Sequence, residues 1–178
     1  MKKEFLYLKK LSLIAILIAI SFVLSKWQIP FIPPYTFLKF DLSETPIILS
    51  VLIYPELTII TVITYSAAIF MIHNPIGAIF KSLAVASFIL TTGLIKLSTK
   101  NLKFSNLIAL SLGLLARILI MVLLNYYMLE VRKIWPGFSM PWFYYVLIIP
   151  IFNLIQGGLN ALLAHITFVK LKQIGTDI

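Results

Sequence analysis

The stretch YYVLIIPIFNLIQGGLNALLAHITFVKLK, residues 144 to 172, is long and apolar enough to cross a bilayer, yet it carries Asn153, Gln156 and Asn160. At about 100° per residue the three amides fall within roughly 60° of one another on a helix, with Gly157 and Ala164 beside them. One face of this helix is polar and small, and the rest is suited to lipid. An unpaired amide in hydrocarbon costs kilocalories. The helix therefore demands a polar interior, and something must fill it.

The remainder of the chain also reads as membrane protein. Of its 178 residues 61% are hydrophobic and 12% charged, against roughly 45–50% and 25% in a soluble domain. Spans of roughly 20 residues consume most of the length. The expectation is a single all-α membrane domain over 1–178, with no room for a sizeable soluble domain. There is no cysteine, hence no disulfide framework and no thiolate nucleophile or metal ligand. The net charge of +9 sits at segment ends rather than in a patch, which points to orientation in a bilayer and away from nucleic acid. The basic start followed by an apolar run lacks a convincing small-residue cleavage site and reads as a retained first helix.

The first span is expected over 8–24. Within it Ser12, Ala15 and Ala19 recur at i, i+3 and i+7, and a small-xxx-small pair lets another helix approach closely in lipid. Residues 25–45 cannot be a span, because Pro30, Pro33 and Pro34 break helix and Lys26, Lys39, Asp41 and Glu44 are charged. Trp27, Phe31, Tyr35, Phe37 and Phe40 make this loop sticky enough to fold back on the protein. Asp41-Leu-Ser-Glu44 offers a cap for the helix that starts at Pro46.

Residues 46–72 form either one long helix or two short ones, 46–54 and 57–72, broken at Tyr54-Pro55-Glu56. Charge favours the break. With six spans and both ends inside, the inner side holds Lys2, Lys3, Lys9, Lys10, Lys96, Lys100, Lys103, Lys170 and Lys172, and the outer side only Lys26, Lys39, Arg132 and Lys133. With five spans the bias disappears, so the positive-inside rule selects six transmembrane helices and cytoplasmic N- and C-termini. Glu56 then lies in an inner turn.

The remaining spans are expected over 76–97, 107–129 and 144–169. His73 stands beside an outer turn and His165 near the opposite face, so no metal site is expected. Lys81 lies about one turn inside the fourth span. It either snorkels to the surface or meets Asp41, Glu44 or a ligand. Arg117, near mid-span, costs at least ~2.5–3.5 kcal/mol unless it faces the interior or a partner; structure and a coupling interface are its two readings. Asn125 follows two turns later. No internal repeat is visible, and no nucleotide-binding or hydrolase motif. With only six acidic residues, none central in a span, nothing in this chain drives transport by itself.

Three stretches in order resemble the substrate-binding S components of energy-coupling factor (ECF) transporters, riboflavin type. They are FLKFDLSETPIIL at 37–49, ARILIMVLLNYY at 116–127 and IPIFNLIQGGLNALL at 149–163, supported by NPIGAIFKSLA at 74–84. The resemblance implies a six-helix binding protein in the plasma membrane of a prokaryote, not an enzyme, with riboflavin as transported ligand and no cofactor. It implies docking through Ala15 and Ala19 to a membrane coupling subunit driven by two cytoplasmic ATPase subunits. It assigns Asn153 to the vitamin, where the family pattern Pro-Phe-Asn-Leu-Ile-Lys-Gly departs to Gln156. A carboxamide there still suits riboflavin, a neutral ligand whose imide edge presents acceptor, donor, acceptor. The expected binding set is Asn153, Gln156, Asn125, Asn160, Asp41, Phe40 and Lys81, with the loop from Phe37 to Asp41 as cover. Other readings stay open: an S component for thiamine, its pyrimidine, biotin or pantothenate; a small membrane enzyme using Asp41, His73, Lys81 and Arg117, for which no nucleophile–base pair is evident; or an assembly subunit.

Overall fold

The computed structural model describes residues 2–31, 38–133 and 141–174. Phe37, Tyr35 and the prolines at 33 and 34 lie outside them, as does part of the loop before α6, so the expected cover over the site is seen only from Leu38 onward. The elements are α1 (Lys2–Leu24), a short antiparallel pair β1 (Ile29–Pro30) and β2 (Lys39–Phe40), α2 (Glu44–Ile53), a 3₁₀ turn (Pro55–Leu57), α3 (Thr58–Phe70), α4 (Pro75–Ser98), α5 (Ser105–Tyr126) and α6 (Ile149–Gln173). α5 runs on through a π turn at Tyr127–Val131, and another at Tyr144–Ile148 leads into α6.

Four helical segments are long and apolar enough to cross a membrane: α1, α4, α5 with its π turn, and α6 with its own. α2 and α3 are each too short, and counting the pair as one span would make five. The pair is not a straight helix, since the chain bends by 118° between them. Pro55 cannot donate the amide hydrogen that a continuing helix requires, and Tyr54 leaves helical geometry at φ −127°, ψ 71°.

α2 is the core. Every residue from Pro46 to Leu52 is buried, with Ser50 bonded to the Ile47 carbonyl, so the helix is enclosed on every side and nearly all apolar below Glu44, as a helix surrounded by others must be. Around it pack Ile14 and Ile18 of α1, Tyr65 and Ile69 of α3, Val85, Phe88 and Ile89 of α4, and Ala161, Ala164 and Phe168 of α6. A second cluster joins Met121, Leu129, Tyr144, Tyr145, Ile149 and Phe152 to Leu38 and Ala84.

Two glycines set the close approaches. A Cβ at Gly113 would stand 2.8 Å from the Phe88 carbonyl oxygen, which fixes the α4–α5 contact. A Cβ at Gly157 would stand 2.6 Å from Leu114 and 3.2 Å from Arg117, so its absence opens the passage for the Arg117 side chain. Small residues at such crossings are how helices pack when lipid supplies no hydrophobic drive.

Side-chain contacts tie elements together at one end of the bundle. Lys10 of α1 pairs with Glu56 of the 3₁₀ turn at 2.5 Å. Lys96, near the end of α4, donates to the Leu52 carbonyl and to Asn106 Oδ1. The Phe168 ring of α6 lies under both Lys96 and Lys172. The beginning of α1, the ends of α2, α4 and α6, and the start of α5 therefore meet at that end.

Two local expectations shift. α2 begins at Glu44 rather than Pro46, and Ser43 makes no side-chain cap to it. Asp41 instead accepts from the Ser43 amide at 3.0 Å and the Ser43 hydroxyl at 2.5 Å, a local turn that aims the chain into the helix. α4 begins at Pro75, with the Asn74 side chain accepting from the Gly77 amide at 2.7 Å, so the expected turn at 73–77 is mostly a capped helix start.

Candidate functional site

The polar stripe of α6 is filled by the chain's own first loop. After β2 the backbone dips between the helices at Asp41, and non-helical backbone at that depth is tolerated only where protein satisfies it. Gln156 Nε2 donates to the Asp41 carbonyl at 2.8 Å, and the Asp41 amide donates to Gln156 Oε1 at 3.4 Å. Asn160 Nδ2 donates to the same carbonyl at 3.1 Å, and Asn160 Oδ1 accepts from Thr45 Oγ1 at 2.7 Å. Ser21 of α1 holds the loop from the other side through the Ser43 carbonyl.

Two ion pairs flank this loop. Lys81 Nζ lies 2.5 Å from Asp41 Oδ2, both largely buried. Lys81 therefore turns inward and does not snorkel. Arg117 of α5 pairs with Glu44, the first residue of α2, and its Nε donates to Asn153 Oδ1 at 3.0 Å. Arg117 is 2% exposed, which removes it from any surface coupling interface. The Arg117–Glu44 pairing is the feature that sequence reasoning missed. Its one signal was that a mid-span Arg needs a carboxylate, and Glu44 looked like part of an outer loop. Gln156 Nε2 also lies 3.4 Å from Glu44 Oε1, so both pairs and the amide stripe form one network.

Asn153 donates to the Ile149 carbonyl at 2.9 Å while accepting from Arg117. That leaves one amide hydrogen and one lone pair unassigned. Phe40 packs with Phe31 and Phe152, ring centroids 5.1 and 5.2 Å away, with Phe31 and Phe152 5.4 Å apart. These three rings form an apolar wall beside the polar network. Asp41, Lys81, Gln156, Asn160 and, through Arg117, Asn153 are thus brought together. Asn125 is buried on α5 and donates to the Met121 carbonyl one turn earlier, with no described bond to the network. His73, in the turn before α4, has its pKa lowered from the usual value, first by burial and then by the Lys81 ammonium.

Ala15 and Ala19 lie on the exposed face of α1. The opposite face, with Ile14, Leu17 and Ile18, is buried. The exposed face carries Ile16 and Ile20 as well, so the small residues sit in an apolar stripe open to lipid or to another helix.

Residues 9–168 match the family described as ECF transporter, substrate-specific component. The riboflavin transporter FmnP of Bacillus subtilis is 30% identical over 176 residues, 92% of each chain. The riboflavin transporter RibU of Staphylococcus aureus is 35% identical over 129 residues, 68% of this chain and 65% of that one. Among solved structures, the S component of a bacterial ECF transporter superposes with a TM-score of 0.76 at 26% identity, covering 93% of this chain and 96% of that one.

Proposed function

This chain belongs to the ECF transporter substrate-specific components, and we propose that its ligand is riboflavin, bound from the outer side against Asn153 and the Phe31–Phe40–Phe152 wall, beneath the first loop that Gln156 and Asn160 hold. The observation that carries the ligand is similarity to riboflavin transporters along nearly the whole chain. The site chemistry agrees with it. Riboflavin is neutral, its ring system suits the Phe31–Phe40–Phe152 wall, its imide edge and hydroxyls suit the amide hydrogen and lone pair that Asn153 keeps free, and Gln156 and Asn160 hold the covering loop through the Asp41 carbonyl. Asn125 stands at the outer end of α5 as a further ribityl contact. Asp41, held by Lys81, positions the loop that covers the ligand.

The topology we propose has six passes with both ends of the chain cytoplasmic, in the plasma membrane of a prokaryote. Positive charge supports it. So do the Lys10–Glu56 and Lys96–Leu52 contacts, which gather the α2 end, the α4 end and the α1 start at one side. Ala15 and Ala19 form the docking stripe for a membrane coupling subunit, energised by two cytoplasmic ATPase subunits. The test is labelled-riboflavin uptake in bacteria lacking their own importer, with and without co-expressed coupling and ATPase subunits. Uptake that requires all of them is expected. Riboflavin uptake by the chain alone, or none in the complete set, would overturn the reading.

A further inference from the structure

On the other face of α6 from the amide stripe, α5 and α6 leave an opening at the end that carries Lys96 and Phe168. The opening is a groove of about 470 Å³ whose polar lining comes from Lys103, Asn106, His165, Lys172 and Gln173. No Asp or Glu lines it, and neither Lys103 nor Lys172 has a carboxylate partner among the described residues. A second, apolar groove of about 160 Å³ continues from it between the same helices, along Leu107, Leu110, Leu114, Gly158 and Leu162. Leu107 and His165 line both, so a cationic mouth leads directly into a channel suited to hydrocarbon. His165 Nδ1, at the junction, is buried without a hydrogen-bond partner.

We infer that this composite groove binds one anionic phospholipid, its phosphate held by Lys103 and Lys172 and one acyl chain lying along Leu107, Leu114 and Gly158. Two features select that occupant. The charge of the mouth is complementary to an anionic headgroup. The apolar groove begins where an acyl chain leaves such a headgroup. Basic pockets between membrane helices on the cytoplasmic side are suited to such headgroups, and the topology proposed above puts this end in the cytoplasmic leaflet. In binding there, the lipid would brace α5 against α6 at the end opposite the vitamin site.

The experiment is native mass spectrometry of the full chain in nonionic detergent, titrated with phosphatidylglycerol, with phosphatidylcholine of the same acyl chains, and with glycerol 3-phosphate. One phosphatidylglycerol should be retained over phosphatidylcholine by about thirtyfold, since each of the two lysines near the headgroup contributes roughly 1 kcal/mol and every 1.4 kcal/mol is tenfold. Lys103→Gln with Lys172→Gln should erase that preference. Gly158→Leu directs a side chain into the channel, and its Cβ meets only Leu114, at 4.0 Å, so the substitution begins without a backbone clash. It should release the lipid while leaving the lysines in place. No headgroup preference, or a preference that survives both variants, overturns the site. Glycerol 3-phosphate binding as tightly as the lipid would make this a small-anion site instead. None of these readouts depends on riboflavin.

Discussion

Asp41 and Gln156, 115 residues apart, meet in a reciprocal pair: the Gln156 amide nitrogen donates to the Asp41 carbonyl at 2.8 Å, and the Asp41 amide donates back at 3.4 Å. A side-chain amide here does the work of a neighbouring strand. It can both donate and accept, so it satisfies a peptide unit on both edges. A lysine at the same position has three donors and no acceptor, and could serve only the carbonyl. Gln156 is therefore matched to the loop it holds.

Gln156→Ala should weaken riboflavin binding by about 1–3 kcal/mol, because it strands buried polar groups of the loop. Gln156→Lys should fall between Ala and the native chain, keeping one donor and losing the acceptor. Fluorescence-quenching titration reads both. An unchanged dissociation constant for the alanine variant would remove Gln156 from the site.

The Arg117–Glu44 pair is buried on both sides. Removing one partner leaves a charge stranded in the protein interior, so Arg117→Met or Glu44→Gln alone should destabilise the fold by about 3–5 kcal/mol. The double variant should recover much of that loss, since neither charge then remains. Thermal unfolding in detergent measures it. Additive losses in the double variant would show that the two side chains are not coupled.

Ala15→Trp and Ala19→Trp project from the exposed face of α1, away from its buried Ile14 and Ile18. They should abolish uptake in the complete transporter and leave riboflavin binding by the isolated chain unchanged. Intact uptake would exclude this stripe as the docking face.

His73 gives the Lys81 end of the bundle a pH dependence. Its folded pKa is lowered, by burial and by the nearby Lys81, below the ordinary 6.5. The neutral imidazole is thus favoured by the fold, and the contribution is fully present above pH 6.5. It declines as pH falls from there through the lower folded value, because the unfolded chain takes up the proton first. The melting temperature should drop across that acidic window, and His73→Asn should flatten the drop. An equal slope in the variant would assign the titration to another group.

Much of this arrangement was legible in the sequence. The amides at 153, 156 and 160 shared a face by helical spacing alone, which required a polar interior. Pro55 beside Glu56, weighed against the lysine distribution, located the break between α2 and α3. What fills the stripe was not legible, because Asp41 lies far along the chain and its bonds to Gln156 and Asn160 run through backbone atoms that every residue possesses. The Glu44–Arg117 pair was hidden for a related reason. Glu44 is a charged residue in what reads as an exposed loop, and only the descent of that loop between helices turns it into a buried counter-ion. Lys81 was ambiguous until Asp41 was seen 2.5 Å away. Spacing along one helix is local information, whereas the pairing of a loop with a distant helix is set by packing of the whole bundle.

The most direct test of riboflavin binding is the visible absorption spectrum of the chain purified in detergent, taken before any addition and again after denaturation. The prediction is a yellow protein with the bands of an oxidised flavin, released on unfolding. A colourless protein that also fails to quench added riboflavin fluorescence would contradict the riboflavin assignment.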